Sequence, residues 1–412
     1  MNKPRNGLIA ALDLGTTKVC CFVARTDGNA WPRVIGIGHQ VSKGVRSGTI
    51  VDMEAAQSSI LNAVHAAEQM AEETIHEILV NISSGYPTSR TLGVEITVNG
   101  HEIGDSDVRR LLEQAIPGDE PPERDLIHAI PVGFALDGGR GIRDPRGMYG
   151  ERLGVDIHRI TAGSGAVRNL TTCVARCHLD IEALVVSPYA SGLAALVEDE
   201  MDLGVTLIDM GGGTTTIAVF FDGEVVHTDS VPLGGGHVTN DIARGLSTPL
   251  VHAERMKALY GSAIASPSDE HEIIDVPRIG EEPHTQANHM PKSILVGVIR
   301  PRLEETFELV RSRLEDSGFD KLTGHRVVLT GGASQLQGVD ELAALILDKQ
   351  VRMGRPKRID GLAEATCGPA FSTCAGLLTH AAQKHVQPPG WGHDAEPSGA
   401  FDRLHQWLRE NF

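Results

Sequence analysis

Short apolar runs punctuated by glycine and aspartate turns mark both halves of the chain, and two of them share one design. In the first, an apolar stretch over 8–12 leads to Asp13, then to the turn residues Gly15, Thr16, Thr17 and Lys18. A second apolar run over 19–25 follows, ending at the turn Asp27-Gly28. The other copy runs from 205–208 to Asp209, through Gly211, Gly212, Gly213 and Thr214, then over 217–221 to Asp222-Gly223. Apolar runs of this length between turn residues predict buried strands. Third strands are predicted near 34–37 and over 224–231. A repeat on this scale predicts two similar lobes, each presenting a carboxylate beside a glycine/threonine turn.

Elsewhere the pattern changes period. Apolar positions Ile60, Leu61, Val64 and Ala67 predict a helix over 53–73 with Asp52 as its N-cap, followed by a short buried strand over 79–82. Residues 83–165 read as an inserted α+β module. They hold an alternating run at 92–98, a charged helix at 105–115, the breakers Pro117, Pro121 and Pro122, and strands at 126–130 and 153–157. Helices at 166–178 and from Pro188 to Val197 flank a strand at 183–186. A second, largely helical insertion separates 231 from 326. There Thr248 is placed to cap a helix with Pro249 in its first turn. An amphipathic helix over 296–314 buries Ile299, Leu303, Phe307, Val310 and Leu314. A strand over 326–330, a turn through Gly331, Gly332 and Ala333, and helices at 338–348 and 369–384 complete the folded part. A Pro/Gly-rich linker then leads to a last helix over 400–412. Phe401, Leu404, Leu408 and Phe412 fall on one face of that helix, with Trp407 beside them.

Composition narrows the picture only modestly. The 412 residues are too many for one core, and a formal charge of −17 argues against wrapping nucleic acid. The six cysteines lie in apolar segments without CxxC spacing, as expected of reduced thiols in a cytosolic protein. No signal-peptide core and no run approaching a membrane span is expected.

The chemistry lies in the turns. Glycine lets backbone amides approach phosphate oxygens, and an aspartate ahead of such a turn can hold Mg²⁺ through water. Lys18 adds a positive charge to the first copy. The third glycine turn, at 331–333, lacks a carboxylate and suits a flat group such as a nucleobase. Glu254 and Lys257 lie three apart on a helix, where an ordinary ion pair would also sit. Signatures for a P-loop, a dinucleotide fold, a serine hydrolase and a zinc protease are all missing.

The segments DLGTTK at 13–18, DMGGGT at 209–214 and TGGA at 330–333 resemble the nucleotide segments of the actin, heat-shock-chaperone and sugar-kinase superfamily. Within the first insertion, IHAIP at 127–131, GIRDP at 141–145, GMYG at 147–150 and HRIT at 158–161 resemble the FtsA family of bacterial cell-division proteins. The resemblance implies a duplicated, actin-like (ribonuclease-H-like) α/β fold with two lobes around a nucleotide cleft. The first lobe would comprise 1–82, 166–203 and 362–385, with an inserted subdomain at 83–165. The second would comprise 204–235 and 305–361, with a helical subdomain at 236–304, a linker at 386–399 and a membrane-targeting helix at 400–412.

ATP and Mg²⁺ are the implied cofactors. Asp13 and Asp209 take the metal side. Gly15, Thr16, Thr17, Lys18 and the 211–214 turn take the phosphates, while Glu254, Lys257, Gly331, Gly332 and Ala333 take the nucleoside. Ser187 stands where hydrolysing members place a Glu or Gln, and losing a general base costs roughly 10²–10⁴ in rate, so slow hydrolysis is expected.

The same resemblance implies self-assembly into filaments, an FtsZ C-terminal peptide gripped by Arg300 and Arg302, and contacts with other division proteins. It implies peripheral attachment to the cytoplasmic face of the inner membrane at the septum. A pilus-assembly adaptor of the PilM type would share the fold and insertion but lack the terminal helix. A sugar kinase would share the clamp but need a catalytic carboxylate between the lobes.

Overall fold

The duplicated turns sit at the ends of the central strands of two five-stranded sheets built on one plan. These were described in a computed structural model covering residues 7–26, 31–115, 120–280, 288–321, 324–357 and 359–383. In the first sheet the strands run in the order Asp180–Val186, Glu77–Ile82, Gly7–Leu14, Lys18–Thr26, Arg33–Val41. The second runs Glu224–Val231, Thr215–Phe221, Val205–Met210, Arg326–Thr330, Gln350–Met353. Each central strand pairs antiparallel with its hairpin partner and parallel with the strand on its other side. Tight turns permit the first pairing, whereas the second needs a crossover. Asp13 faces Cys20 and Asp209 faces Thr216 at equivalent points of the two hairpins.

The helix Met53–Ala71 covers the first sheet, and its N-cap is Asp52, whose Oδ1 accepts the Ala55 N–H at 3.1 Å. Ile60, Val64 and Ala67 are buried as predicted, but Leu61 is 41% exposed. One position on from Ile60 turns about 100° around the helix, off the buried stripe. The helices Ser187–Ala195 and Ser372–Gln383 cross between the sheets, and their core joins Leu12 and Phe22 to Leu207 and Phe220. The helix predicted to reach Val197 ends at Ala195, and a separate short one, Glu198–Leu203, follows.

The first insertion is a four-stranded sheet in the order Thr88–Thr97, Arg152–Gly163, Arg124–Leu136, Gly139–Ile142. Helix Asp105–Ala115 packs on it through Val108 and Leu111, giving a core of its own. This module reaches the second lobe. Ser89 Oγ donates to the Thr228 carbonyl and accepts its N–H, both at 2.8 Å.

The second insertion carries helices Gly235–Gly245 and Leu250–Tyr260, a hairpin of Ile273–Val276 with Asn288–Pro291, and helix Lys292–Ser317. Thr248 does not cap the helix beginning at Leu250. It is fully buried, its N–H closes the preceding helix on Ala243, and its hydroxyl has no hydrogen-bond partner among the described residues. Helix Lys292–Ser317 starts earlier than predicted, contains Pro301, and buries all five apolar positions named for it. No described helix is long and apolar enough to cross a membrane. The predicted turn Asp27-Gly28, the linker at 386–399 and the whole of 400–412 lie outside the described residues.

Candidate functional site

A cleft of about 530 Å³ opens where the two aspartate turns meet. Asp13, Gly15, Thr16, Thr17 and Lys18 line one wall, with Asp209, Gly211, Gly212, Gly213 and Thr214 opposite. Glu254 and Lys257 line it from the helical insertion, and Gly331, Gly332 and Ala333 from the third turn. Every residue predicted to touch a nucleotide therefore borders one cavity.

The walls are close because the turns lack side chains. A Cβ on Gly212 would stand 2.5 Å from Thr17 Cγ2, and one on Gly213 would stand 2.6 Å from both Thr16 Oγ1 and the Ser47 Cα. Behind them, the N–H groups of Gly235 and Gly236 donate to the carbonyls of Gly211 and Gly212 at 2.9 and 2.7 Å. Gly331 is required on two counts. Its φ is +89°, and a Cβ there would lie 2.3 Å from Asp209 Oδ1.

Both carboxylates are buried and held. Asn81 Nδ2 donates to Asp13 Oδ1 at 2.7 Å. Asp209 Oδ2 accepts from Ser191 Oγ at 2.5 Å and from Thr373 Oγ1 at 3.2 Å. Burial pushes the Asp13 carboxyl up to about 7, with Lys18 opposing the rise and the charge of Asp209 adding to it. Burial likewise raises Asp209, against the hydrogen bonds of Ser191 and Thr373 and the charge of Lys18. Lys18 Nζ donates to the Ala370 carbonyl at 2.5 Å and lies 3.4 Å above the Phe371 ring. At the far end Lys257 Nζ bonds Glu254 Oε2 at 2.7 Å, Thr239 Oγ1 at 2.8 Å and the Gly235 carbonyl at 3.1 Å.

This donor set suits a polyphosphate carrying a divalent cation. Two carboxylates raised by burial lack enough positive charge nearby, which a dication would supply, and hard oxygen ligands match Mg²⁺. No group of three or more His, Cys, Asp or Glu gathers for a metal among the described residues.

Ser187 lines the cleft as the first residue of its helix, with Oγ 3.0 Å from Asn81 Nδ2. Arg300 and Arg302 lie elsewhere, on helix Lys292–Ser317, and each already holds carboxylates of this chain. Arg300 Nε donates to Glu304 at 2.7 Å, Arg302 Nε donates to Asp241 at 2.5 Å, and Arg302 also pairs with Glu305. The proposed membrane residues Phe401, Leu404, Trp407, Leu408 and Phe412 lie outside the described residues.

Sequence reading missed Asn81, Ser191, Thr373 and the glycines at 234–236. The three consecutive glycines opening a helix were a readable signal, as was a single amide inside the apolar strand Glu77–Ile82. Ser191 and Thr373 carry none, because only the crossing of their helices brings them to Asp209.

Two lobes of one design closing on paired aspartate turns define an actin-like fold. Solved structures agree: the PilM-PilN type IV pilus biogenesis complex superposes with a TM-score of 0.63 at 19% identity, covering 92% of this chain and 99% of that one. MreB5 of Spiroplasma citri bound to ADP gives 0.53 at 15% identity, with 92% and 97% covered.

The family models for "Cell division protein FtsA" and "SHS2 domain inserted in FTSA" match residues 206–376 and 84–161. Cell division protein FtsA of Rhizobium meliloti is 46% identical over 99% of this chain and 96% of its own length. The proteins of that name from Pseudomonas aeruginosa and Escherichia coli K12 are 35% and 31% identical, each over 98% of both chains. The chain belongs to the FtsA family of cell division proteins, and its first insertion is the SHS2 domain of that family. Membership favours a division role over the pilus-adaptor and sugar-kinase readings.

Proposed function

We propose that this protein binds Mg²⁺·ATP in the cleft, hydrolyses it slowly at most, polymerises, and tethers FtsZ filaments to the cytoplasmic face of the inner membrane. The observation that carries the nucleotide part is the gathering of all three glycine turns, both aspartates, Lys18 and the Glu254–Lys257 pair around one cleft. Bound Mg²⁺ would supply the positive charge that Asp13 and Asp209 lack, held by those two carboxylates through water. The lobe division at 1–82, 166–203 and 362–385 against 204–235 and 305–361, with subdomains 83–165 and 236–304, belongs to the same reading. The MamK double helical filament, whose fold is similar (TM-score 0.52, 12% identity), supports self-assembly as something this fold can do.

Membrane attachment rests on the amphipathic pattern of 400–412. Each large apolar residue there gains roughly 0.7–1.5 kcal/mol at an interface, about half its value when fully buried. Arg403 and Arg409 are offset by Asp402 and Glu410, so charge adds little and avidity from many copies must hold the filament down. Trp407→Glu is expected to release the full chain from anionic vesicles in flotation while leaving fluorescent-ATP binding unchanged. Retention on vesicles would refute the anchor. The same preparation assayed for phosphate release tests slow hydrolysis, which turnover on the order of tens per second would overturn.

The FtsZ C-terminal peptide, if acidic, must draw Arg302 away from Asp241 and Glu305. Arg302→Glu, which sets a third carboxylate there, is expected to weaken peptide binding about tenfold in fluorescence anisotropy. Unchanged affinity would remove Arg302 from the interface.

A further inference from the structure

Asn81 is 4% exposed, sits in a strand whose other buried residues are apolar, and uses every part of its amide. Its Oδ1 accepts the backbone N–H of Leu14 at 2.7 Å. That group can only donate, so the orientation of the amide is fixed and its nitrogen must face the opposite way. Its two N–H bonds are then divided, one to Asp13 Oδ1 at 2.7 Å and one to Ser187 Oγ at 3.0 Å.

The consequence falls on Ser187. A hydroxyl has one hydrogen to give, and here its oxygen is already accepting from Asn81. No acceptor for its hydrogen is found within the protein among the described residues, and Ser187 borders the cleft beside Asp13. We propose that Asn81 is a positioning residue that makes Ser187 a hydrogen-bond donor into the cleft, where it holds the terminal phosphate of a nucleoside triphosphate. This rests on the nucleotide reading above and deepens it. Ser187 then serves as a sensor of the third phosphate and not as an acceptor that draws a proton from water.

The test compares ATP with ADP, each as its Mg²⁺ complex, by calorimetry on the full chain. Wild-type protein that binds neither nucleotide refutes the nucleotide reading itself, before any variant is made. Given wild-type binding, Ser187→Ala is expected to weaken ATP about 10- to 100-fold, the range for a hydrogen bond to a charged group, and ADP less than twofold. Ser187→Thr, which keeps the hydroxyl, should restore most of the ATP affinity.

Asn81→Asp and Asn81→Ala remove the amide donors with and without an added charge. Either one that retains the wild-type circular dichroism melt should lose the ATP-over-ADP preference as Ser187→Ala does, any further loss through Asp13 falling equally on both nucleotides. Combined with Ser187→Ala, it should add little more. Equal losses for ATP and ADP, or full ATP affinity in Ser187→Ala, would overturn the proposal. Additive losses of the ATP-over-ADP preference in the double variant would leave Asn81 a structural residue only and overturn its positioning role.

Discussion

Lowering the pH from 8 to 6 weakens Mg²⁺·ATP binding by about tenfold beyond what the nucleotide's own titration causes. The cause is Asp13. Burial lifts its carboxyl from the ordinary 3.8 to about 7, so below neutrality the folded protein holds a proton there. A metal-bound phosphate tail needs the ionised form. Each pH unit below the folded value therefore costs up to about tenfold, and the affinity levels off above it. ATP protonates in nearly the same range, which an Asp13→Asn control separates because it keeps the nucleotide's titration and loses that of Asp13.

Without nucleotide the sign reverses. Between about pH 4 and 7 the folded chain binds a proton that the unfolded chain has released, so stability falls as pH rises through this window. The full swing is about 4 kcal/mol for a shift of this size. Chemical denaturation at pH 5 and pH 8 should show this loss as the difference between wild type and Asp13→Asn, since Glu224, pushed up to about 7, and His158, pushed down to about 3, both by burial, titrate in both proteins. The same change with pH in wild type and Asp13→Asn would remove the buried-carboxylate account.

Gly376→Ala is expected to cost about 3 kcal/mol and to weaken nucleotide binding together with stability. The crossing helices touch here. A Cβ on Gly376 would lie 1.7 Å from the Ala190 carbonyl oxygen and 2.3 Å from its carbon, and neither atom can turn aside. The helices must part, and Ser372–Gln383 carries the cleft with it. Ser372 Oγ lies 2.7 Å from Thr330 Oγ1, while Thr373 Oγ1 bonds both Ser191 Oγ at 2.9 Å and Asp209. Gly297→Ala is the control, at an exposed position of helix Lys292–Ser317 with open space around it. There the added methyl should stabilise by up to about 1 kcal/mol through helix propensity. Denaturant midpoints for the two variants moving in the same direction would contradict this account.

Much of the cleft was legible because its chemistry is local. A strand, an aspartate and a run of glycines are neighbours in sequence, and the hairpin that joins them needs no distant partner. The same holds for the long helix of the second insertion, whose apolar spacing named its buried face. Leu61 was misread because the apolar stripe on Met53–Ala71 is narrower than the run of apolar residues. Thr248 was misread as a cap because sequence shows a hydroxyl before a proline. It does not show that its N–H already closes the preceding helix. Arg302 looked free because Asp241, which holds it, is far away in the chain, whereas Glu304, the partner of Arg300, lies one turn on and was readable.

By itself the sequence determined the duplicated lobes, the two aspartates and the glycine turns, since strand-turn-strand units follow from local periodicity and turn chemistry. Only the tertiary structure decided which groups control those aspartates. Asn81, Ser191 and Thr373 reach them through crossovers between strands and the contact of two helices, where burial and hydrogen bonds set both charge and orientation. Distances in space, which no local pattern encodes, turned two repeated motifs into one cleft.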